Sequence, residues 1–251
     1  MADPIRVFVG GTDEHRLAAK VLEYSILEHA SRDVEFHMIA DCGVPHPDIG
    51  RLTPTSFSLQ RFMIPEICNF TGRAIYLDSD MIVRTDIAAL FDSPFPPGAM
   101  VQSCPGWQSA VMLIDCRIGW KVAEIGDRIQ RGEWKYPSVS SLKVFGETII
   151  SRTLPKQWNC MDVPCNPCYL LHYTGMRTQP WLYAKHEHGW IWEQGLSAAL
   201  SAGFIHSQDV MDAINAGYVR PSLALLMCDE PPYDDSQFVY PDDLRKQKGA
   251  A

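Results

Sequence analysis

Long apolar runs are missing from this sequence, since no stretch approaches the roughly 18 apolar residues that a membrane-spanning helix needs. A hydrophobic leader is also missing before the short apolar run at residues 5–9. These two absences predict a cytoplasmic protein without a transmembrane segment, and they leave peripheral contact with a membrane open.

Positive charge is scarce as well. The 251 residues include 22 Lys and Arg against 30 Asp and Glu, which gives a formal net charge of −8. A broad electrostatic attraction to nucleic acid or to anionic lipid is therefore not expected. Apolar residues make up 46% of the chain and charged residues 21%, which is typical of a globular enzyme or binding domain. Any phosphate must be held by a local site, and we expect no nucleic acid partner.

The eight cysteines are scattered along the chain, and a chain of this length can fold without disulfide bonds. We therefore expect reduced thiols, as in a cytosol. Four ligand-type residues do lie close together, with the spacing C-x4-C-x2-C-x3-H that is compatible with a tetrahedral zinc site. These residues are Cys160, Cys165, Cys168 and His172. One alternative interpretation is accordingly a zinc-binding structural or interaction module.

Neither an internal repeat nor a linker divides the sequence. We expect a single domain over residues 1–229 and a surface-bound or flexible tail over residues 230–251, where Pro, Asp and Lys are frequent. Apolar runs alternate with segments of helical periodicity, which predicts an α/β fold with a mostly parallel central sheet flanked by helices. The predicted strands are residues 5–9, 34–39, 73–77, 110–114 and 169–171. One predicted helix follows the turn at residues 10–13, and a short one covers residues 57–64 and stops near Pro65. The other predicted helices are residues 119–130, 192–202 and 209–216. Residues 147–152 show no clear preference for helix or strand.

Two carboxylates, Asp78 and Asp80, interrupt the apolar run of residues 73–83. Side chains two residues apart in an extended segment point to the same side, so these acids would converge at the end of a buried strand, where like charges repel and burial is unfavourable. A divalent cation removes both objections, because Mg²⁺ or Mn²⁺ prefers carboxylate oxygens together with substrate phosphates. The less specific interpretation is that Asp78 turns the chain and Asp80 caps a following segment.

A second apolar run, residues 169–171, ends in a side chain that can bind metals, His172. It is followed by Gly175, which would let backbone amides approach a phosphate closely, and by the cationic Arg177. Ligands of open α/β sheets bind beyond the carboxyl ends of the strands. We therefore expect His172 to complete a cation site with the two aspartates.

Five segments, in this order, resemble glycosyltransferase family 8 and its bacterial relatives, which are retaining enzymes with the GT-A fold. The resemblance covers roughly residues 5–181. Several ordered matches are more specific than one D-x-D triplet. The segments are Phe8-Val-Gly-Gly-Thr-Asp13, Gln60-Arg-Phe-Met-Ile-Pro65, Tyr76-Leu-Asp-Ser-Asp80, Trp107-Gln-Ser-Ala-Val-Met-Leu-Ile-Asp115, and His172-Tyr-Thr-Gly175 with Pro180-Trp181.

The resemblance implies a Rossmann-like GT-A domain that transfers a hexose-type sugar from a nucleotide diphosphate donor, with UDP as the favoured nucleotide. The acceptor would be a glycan, a lipid-linked molecule or a small molecule with a hydroxyl group, and the anomeric configuration would be retained. Asp78, Asp80 and His172 would bind Mn²⁺ or Mg²⁺, and Gln108 would face the donor sugar as a catalytic candidate. The other donor-binding residues implied are Gly10, Thr12, Asp13, Arg61, Ser79, Ser109, Gly175 and Gln179.

Two positions depart from the family pattern. Gly146-Glu147-Thr148 stands where relatives often have Asp-Gln-Asp, and Gln179 stands where a lysine is expected before Pro180-Trp181. Glu147 is the carboxylate that would form a covalent intermediate, or support the cationic sugar, if retention proceeds through two displacements. A further alternative is a sugar-phosphate nucleotidyltransferase. Such an enzyme would carry a glycine-rich loop with Arg and Lys after the first strand, whereas Gly10-Gly-Thr-Asp-Glu14 is acidic.

Overall fold

The computed structural model describes residues 3–55, 57–106, 109–227 and 234–241. Its strands are β1 (Ile5–Gly10), β2 (Val34–Met38), β3 (Arg73–Asp78), β4 (Met81–Val83), β5 (Val101–Ser103), β6 (Val111–Asp115), β7 (Ile150–Ser151), β8 (Cys160–Met161) and β9 (Leu170–His172). Its α-helices are α1 (Arg16–His29), α2 (Ile64–Ile67), α3 (Ala88–Phe91), α4 (Val122–Gln130), α5 (Tyr136–Ser140), α6 (Gly189–Ser201) and α7 (Ser207–Asn215).

The larger sheet has six strands in the order β2-β1-β3-β6-β5-β7. β1 is parallel to β2 and to β3, and β5 is parallel to β7, whereas β6 is antiparallel to both β3 and β5. Within this sheet, β6 alone therefore runs against the others, and the prediction of a mostly parallel sheet is confirmed. Because β1 and β3 are parallel, their carboxyl ends lie side by side, with Gly10 as the register partner of Asp78.

A second sheet of three strands has the order β4-β9-β8. β4 is antiparallel to β9, and Met81 is the register partner of His172. The chain bends at Ser79 and Asp80, between β3 and β4, so the apolar run of residues 73–83 is divided between the two sheets rather than forming one strand. The joint between the sheets thus carries both carboxylates of the D-x-D triplet.

Apolar side chains cover both faces of the larger sheet. On one face, side chains such as Val7 and Ile75 pack with α1 and α3. On the other face, Phe8 and Tyr76 pack with α2 and α4. A third cluster joins α1, α6 and α7 to β9, and α1 also contacts β4. This helix therefore packs against both sheets and holds them together.

Glycine and proline mark the helix ends in different ways. As predicted, Gly203 and Gly217 follow α6 and α7, with φ of +72° and +73° in the left-handed region. The predicted helix at residues 57–64 is wrong, because this segment forms a 3₁₀ turn at Gln60–Phe62 before α2 begins. Pro65 stands in the first turn of α2, where the missing N–H of proline has no intrahelical partner to lose. It therefore begins a helix instead of ending one.

Part of the predicted tail packs on the domain. Residues 234–241 are described, and Asp235 accepts hydrogen bonds from the Ser222 N–H at 2.9 Å and from its hydroxyl at 2.6 Å. The rest of the segment from residue 230 onward lies outside the described residues. Within the described chain, no helix has the length and apolar character needed to cross a bilayer.

The prediction that every cysteine is reduced is wrong for one pair. Cys160 and Cys165 form a disulfide bond, with their Cα atoms 5.6 Å apart. The loop between β8 and β9 brings them together, and no spacing rule predicts such a local reversal of the chain. The free cysteines of the described residues are Cys42, Cys68, Cys104, Cys116 and Cys168.

We expect Leu22→Ala to lower the free energy of unfolding by about 2–5 kcal/mol, because Leu22 is fully buried between α1 and the larger sheet. Leu27→Ala on the same helix is the matched control. Leu27 is 41% exposed, so its truncation should cost less than about 1 kcal/mol. Urea denaturation of both variants measures the difference, and equal losses would contradict the described packing of α1.

Candidate metal centre

Three side chains with oxygen or nitrogen ligand atoms meet where the two sheets join. Asp78 is the last residue of β3, Asp80 directly precedes β4, and His172 is the last residue of β9. Because Met81 is the register partner of His172, the residue before it lies next to the imidazole. One ligand atom from each of the three side chains lies within 4.8 Å of the other two. The structure thus brings the three predicted ligands together.

Asp78 is a partly buried carboxylate held by two donors. Arg61 Nη2 donates to Asp78 Oδ1 at 3.1 Å, and the Tyr76 hydroxyl donates to the same oxygen at 2.5 Å. Burial raises the pKa of Asp78 above its ordinary value, while the guanidinium of Arg61 opposes this rise and the charge of Asp80 adds to it. A further cation nearby would favour the ionised form of this carboxyl group.

Arg61 is buried and tied to the wall of the site. Its Nη1 donates to Ser109 O at 2.6 Å and to Ser109 Oγ at 2.8 Å. The guanidinium carbon also lies 4.7 Å from the centroid of the Tyr76 ring. Burial alone would lower the pKa of Arg61, but the adjacent Asp78 carboxylate raises it. Arg61 therefore stays cationic and fixes the orientation of Asp78.

Asp80 and His172 form a second close pair, with 3.1 Å between Asp80 Oδ1 and His172 Nε2. Burial lowers the pKa of His172, but the charge of Asp80, the close contact with it and the charge of Asp78 together outweigh burial, so the pKa is raised. Burial likewise raises the pKa of Asp80, yet the charge of His172 holds it below the ordinary value. Asp80 Oδ2 accepts a hydrogen bond from Gln179 Nε2 at 2.9 Å. Both oxygens of Asp80 thus have defined neighbours.

The surroundings of Asp80 Oδ1 indicate whether Asp78, Asp80 and His172 fit a divalent cation. The atom is buried and accepts no hydrogen bond of acceptable geometry from a described residue, although His172 Nε2 is close to it. A buried carboxylate oxygen without a donor is unfavourable, and a cation would remove the cost. Two carboxylates and one imidazole supply the oxygen and nitrogen atoms that Mn²⁺ or Mg²⁺ accepts. The residues present therefore fit a divalent cation.

A cavity of about 450 Å³ opens onto these side chains. Its size is that of a site for a small molecule. The carboxyl ends of β1, β3 and β9 contribute to the lining, and the rest comes mainly from side chains within the segments 54–55, 57–61, 136–141 and 174–182. The predicted site residues that line the cavity are Gly10, Arg61, Asp78, Ser79, Asp80, Ser109, His172 and Gln179.

Curated proteins match part of the chain, although no protein-family model matches it. The chain is 33% identical over 94 residues to Protein CDI of Arabidopsis thaliana, which covers 36% of this chain and 36% of the relative. It is 32% identical over 98 residues to Glycosyltransferase 8 domain-containing protein 1 of Rattus norvegicus, which covers 38% of this chain and 24% of the relative. The chain thus spans only 24–36% of the length of these two relatives.

A solved structure shows the architecture more fully. The crystal structure of the galactosyltransferase LgtC in complex with donor and acceptor sugar analogs superposes with a TM-score of 0.59 and 12% identity, over 77% of this chain and 95% of that chain. This chain has the GT-A glycosyltransferase fold. At such low identity the likeness shows the fold alone, while the names of the curated relatives confirm the resemblance to glycosyltransferase family 8.

In this GT-A domain, the loop after β1 reaches the cavity through residues other than the two predicted ones. The Thr12 N–H donates to His15 Nδ1 at 3.2 Å, and Asp13 forms an exposed ion pair with Arg16 at 2.8 Å. Neither Thr12 nor Asp13 is part of the described lining, whereas Glu14 and His15 are. No motif in the sequence predicts a role for Glu14 or His15.

Three other predicted site residues are not among the described residues that line the cavity. Gly175 opens a turn in which its carbonyl accepts from the Thr178 N–H at 2.7 Å, and it is not part of the described lining of the cavity. Glu147 is exposed, three residues before β7, and also lies outside that lining. Gln108 lies outside the described residues. The catalytic roles of Glu147 and Gln108 stay predictions.

Two supporting residues were missed in the sequence. Gln60 holds the loop after β1, because its Oε1 accepts from the Gly11 N–H at 2.8 Å and its Nε2 donates to Gly11 O at 3.2 Å. Gln60 is the first residue of the family-like segment of residues 60–65, and this position could have marked it as a site residue. Asn159 contacts His172 Nδ1 at 2.8 Å, and no motif or spacing connects these two residues.

The zinc interpretation is contradicted by the disulfide bond. Cys160 and Cys165 are bonded to each other, so their sulfur atoms are not thiolate ligands. His172 faces Asp80 and Asn159 instead. In the described chain, the group of side chains in reach of one metal ion is the one that contains the two aspartates.

We expect Arg61→Met to destabilise the GT-A domain, because Asp78 would lose its ion-pair partner. Breaking a buried pair costs about 3–5 kcal/mol, and the loss should be somewhat smaller here because the Asp78 side chain is 21% exposed. Arg131→Met breaks an exposed pair with Glu133 and should cost less than about 1 kcal/mol. Denaturant titration measures both losses, and wild-type stability of Arg61→Met would refute the assigned role.

Proposed function

We propose that this GT-A domain is a metal-dependent glycosyltransferase. It takes a hexose-type sugar from a nucleotide diphosphate donor, with UDP as the nucleotide, and transfers it with retention to a hydroxyl group of a glycan, a lipid-linked molecule or a small molecule. The observation that carries the proposal is the convergence of Asp78, Asp80 and His172, whose ligand atoms lie within 4.8 Å of one another in the lining of a cavity.

The cofactor in this proposal is Mn²⁺ or Mg²⁺. When bound, the cation supplies Lewis acidity and orientation to the departing diphosphate. Asp78, Asp80 and His172 would hold it, and Arg61, which donates to Asp78 at 3.1 Å, opposes the rise in the pKa of Asp78 that burial causes. Arg61 and Arg177 both line the cavity and add positive charge there, which favours an anionic donor.

Small residues leave room for the donor beside the acids. Gly10, Ser79 and Ser109 line the cavity. A Cβ atom at Gly10 would lie 2.6 Å from the Tyr76 hydroxyl, so a larger residue would disturb the hydrogen bond from Tyr76 to Asp78. Gly10 thus allows the close approach of Tyr76, whose hydroxyl donates to the candidate ligand Asp78.

The position of Glu147 favours a same-face substitution over a covalent intermediate. Glu147 lies outside the lining, and the acids that line the cavity in the described chain are Glu14, Asp78 and Asp80. In the same-face route, the bond between sugar C1 and the phosphate oxygen breaks and the bond between C1 and the acceptor oxygen forms. The acceptor proton passes to a phosphate oxygen. This route needs no nucleophile from the protein.

Asp80→Asn and His172→Ala are each expected to reduce Mn²⁺-dependent donor hydrolysis or sugar transfer by about 100-fold or more, because each removes a ligand that positions the electrostatic stabiliser of the leaving group. The matched controls are Asp127→Asn and His29→Ala, which change exposed side chains on helices and should keep wild-type turnover. Melting temperatures measured without metal check that the fold is intact. Unchanged turnover in either ligand variant would reject the proposed function.

Donor identity is tested by a thermal-shift panel of nucleotide sugars, each measured with and without Mn²⁺. A ligand at 100 times its Kd stabilises the native state by about 2.7 kcal/mol, so the correct donor should raise the melting temperature, and Mn²⁺ should increase that shift. Asp80→Asn should remove the Mn²⁺ contribution. A panel in which no nucleotide sugar stabilises the wild-type protein would contradict the proposed donor class.

A further inference from the structure

Asn159 is a buried polar side chain that contacts a candidate ligand from outside the cavity. It is 7% exposed, it ends the 3₁₀ turn Lys156–Asn159, and it directly precedes β8. Its Oδ1 lies 2.8 Å from His172 Nδ1, and the residue is not part of the described lining of the cavity. We propose that Asn159 is a positioning residue that fixes the ring and the tautomer of His172 so that Nε2 faces the cation.

The chemistry of the contact determines which nitrogen can bind a metal. An amide oxygen only accepts hydrogen bonds, so the imidazole must carry its proton on Nδ1 to donate to Asn159. In the neutral ring the lone pair is then on Nε2, which is the atom that lies 3.1 Å from Asp80 Oδ1. A histidine ligand needs this second contact because the ring otherwise rotates and exchanges its two tautomers.

A second buried amide, that of Gln179, orients the carboxylate of Asp80. Gln179 is 8% exposed, and its Nε2 donates to Asp80 Oδ2 at 2.9 Å and to Tyr173 O at 3.3 Å. This contact restrains Asp80 Oδ2 and leaves Oδ1 on the side of His172. Two neutral amides thus flank the pair of ligands, so they orient the ligand atoms without adding charge to the site.

The backbone holds Asn159 in place relative to His172. β8 is parallel to β9, with Cys160 as the register partner of Leu171. The Asp162 N–H donates to His172 O at 2.8 Å on the other side of β8. Because Asn159 immediately precedes a strand that is paired with the strand of His172, the backbone of Asn159 is held at a fixed position relative to the backbone of His172.

The inference rests on the proposed function only for the presence of a cation, and it is tested with Mn²⁺ alone. The electron paramagnetic resonance signal of free Mn²⁺ gives the affinity of the whole protein. Asn159→Leu, which has a similar shape but no acceptor, should weaken Mn²⁺ binding by about 10- to 100-fold. Asn159→Asp retains an acceptor at the same place and should bind within a few-fold of wild type.

Asn159→Ala provides a second variant without an acceptor if Asn159→Leu does not fold, and Asn215→Leu, at an exposed helix end, is the matched control. A purely structural role would predict loss in Asn159→Asp as well, so failure of this variant to restore affinity overturns the inference. Wild-type affinity in a folded Asn159→Leu or Asn159→Ala protein also overturns it, while leaving the proposed function intact. Failure of the wild-type protein itself to bind Mn²⁺ would instead reject the metal-dependent function.

Discussion

The site depends on the burial of two neighbouring carboxylates, Asp78 and Asp80. Each has its own basic partner, since Arg61 lies 3.1 Å from Asp78 and His172 lies 3.1 Å from Asp80. Desolvated carboxylates are unfavourable unless such partners or a metal ion compensate them. The partners come from opposite sides, Arg61 from the 3₁₀ turn before α2 and His172 from the smaller sheet. The charge balance of the site therefore depends on the pairing of β4 with β9, which brings His172 to Asp80.

Features that depend on continuous burial could be predicted from the sequence. β1, β3 and β6 are nearly uninterrupted apolar runs, as expected for strands covered on both faces, and the position of Asp78 at a strand end follows from the same pattern. The bend at Ser79 and Asp80 could not be predicted, because a run of apolar residues does not show where a chain leaves one sheet for another. The pairing of Met81 with His172 joins distant segments, and only tertiary structure establishes it.

Local contacts explain the remaining errors. Pro65 was interpreted as a helix end, although proline is equally suited to a first turn, and the choice between these roles depends on what precedes it. The Cys160–Cys165 disulfide arises from a loop whose path is set by its attachment to β9. Asn159 is an ordinary polar residue in the sequence, and its importance follows from burial next to His172. Burial of single polar residues is not encoded in a periodic pattern.

The cavity is built from two kinds of segment. Strands carry the candidate ligands and define the fold, whereas connecting segments form much of the wall that would contact a substrate. The candidate ligands stand at strand ends or directly beside one, where the sheets fix their positions. Much of the remaining wall is built by side chains within the segments 54–55, 57–61, 136–141 and 174–182 together with Tyr218 and Tyr240, which lie outside the larger sheet. Such segments can change in length and composition without disturbing the strands. Gln179 shows the consequence, because it stands in this wall and contacts Asp80 through a neutral amide where the family pattern has a lysine. Under the proposed function, the smaller positive charge there would leave the cation, Arg61 and Arg177 to balance a donor diphosphate. Transfer by this domain would then depend more on the metal than transfer by an enzyme that has the lysine.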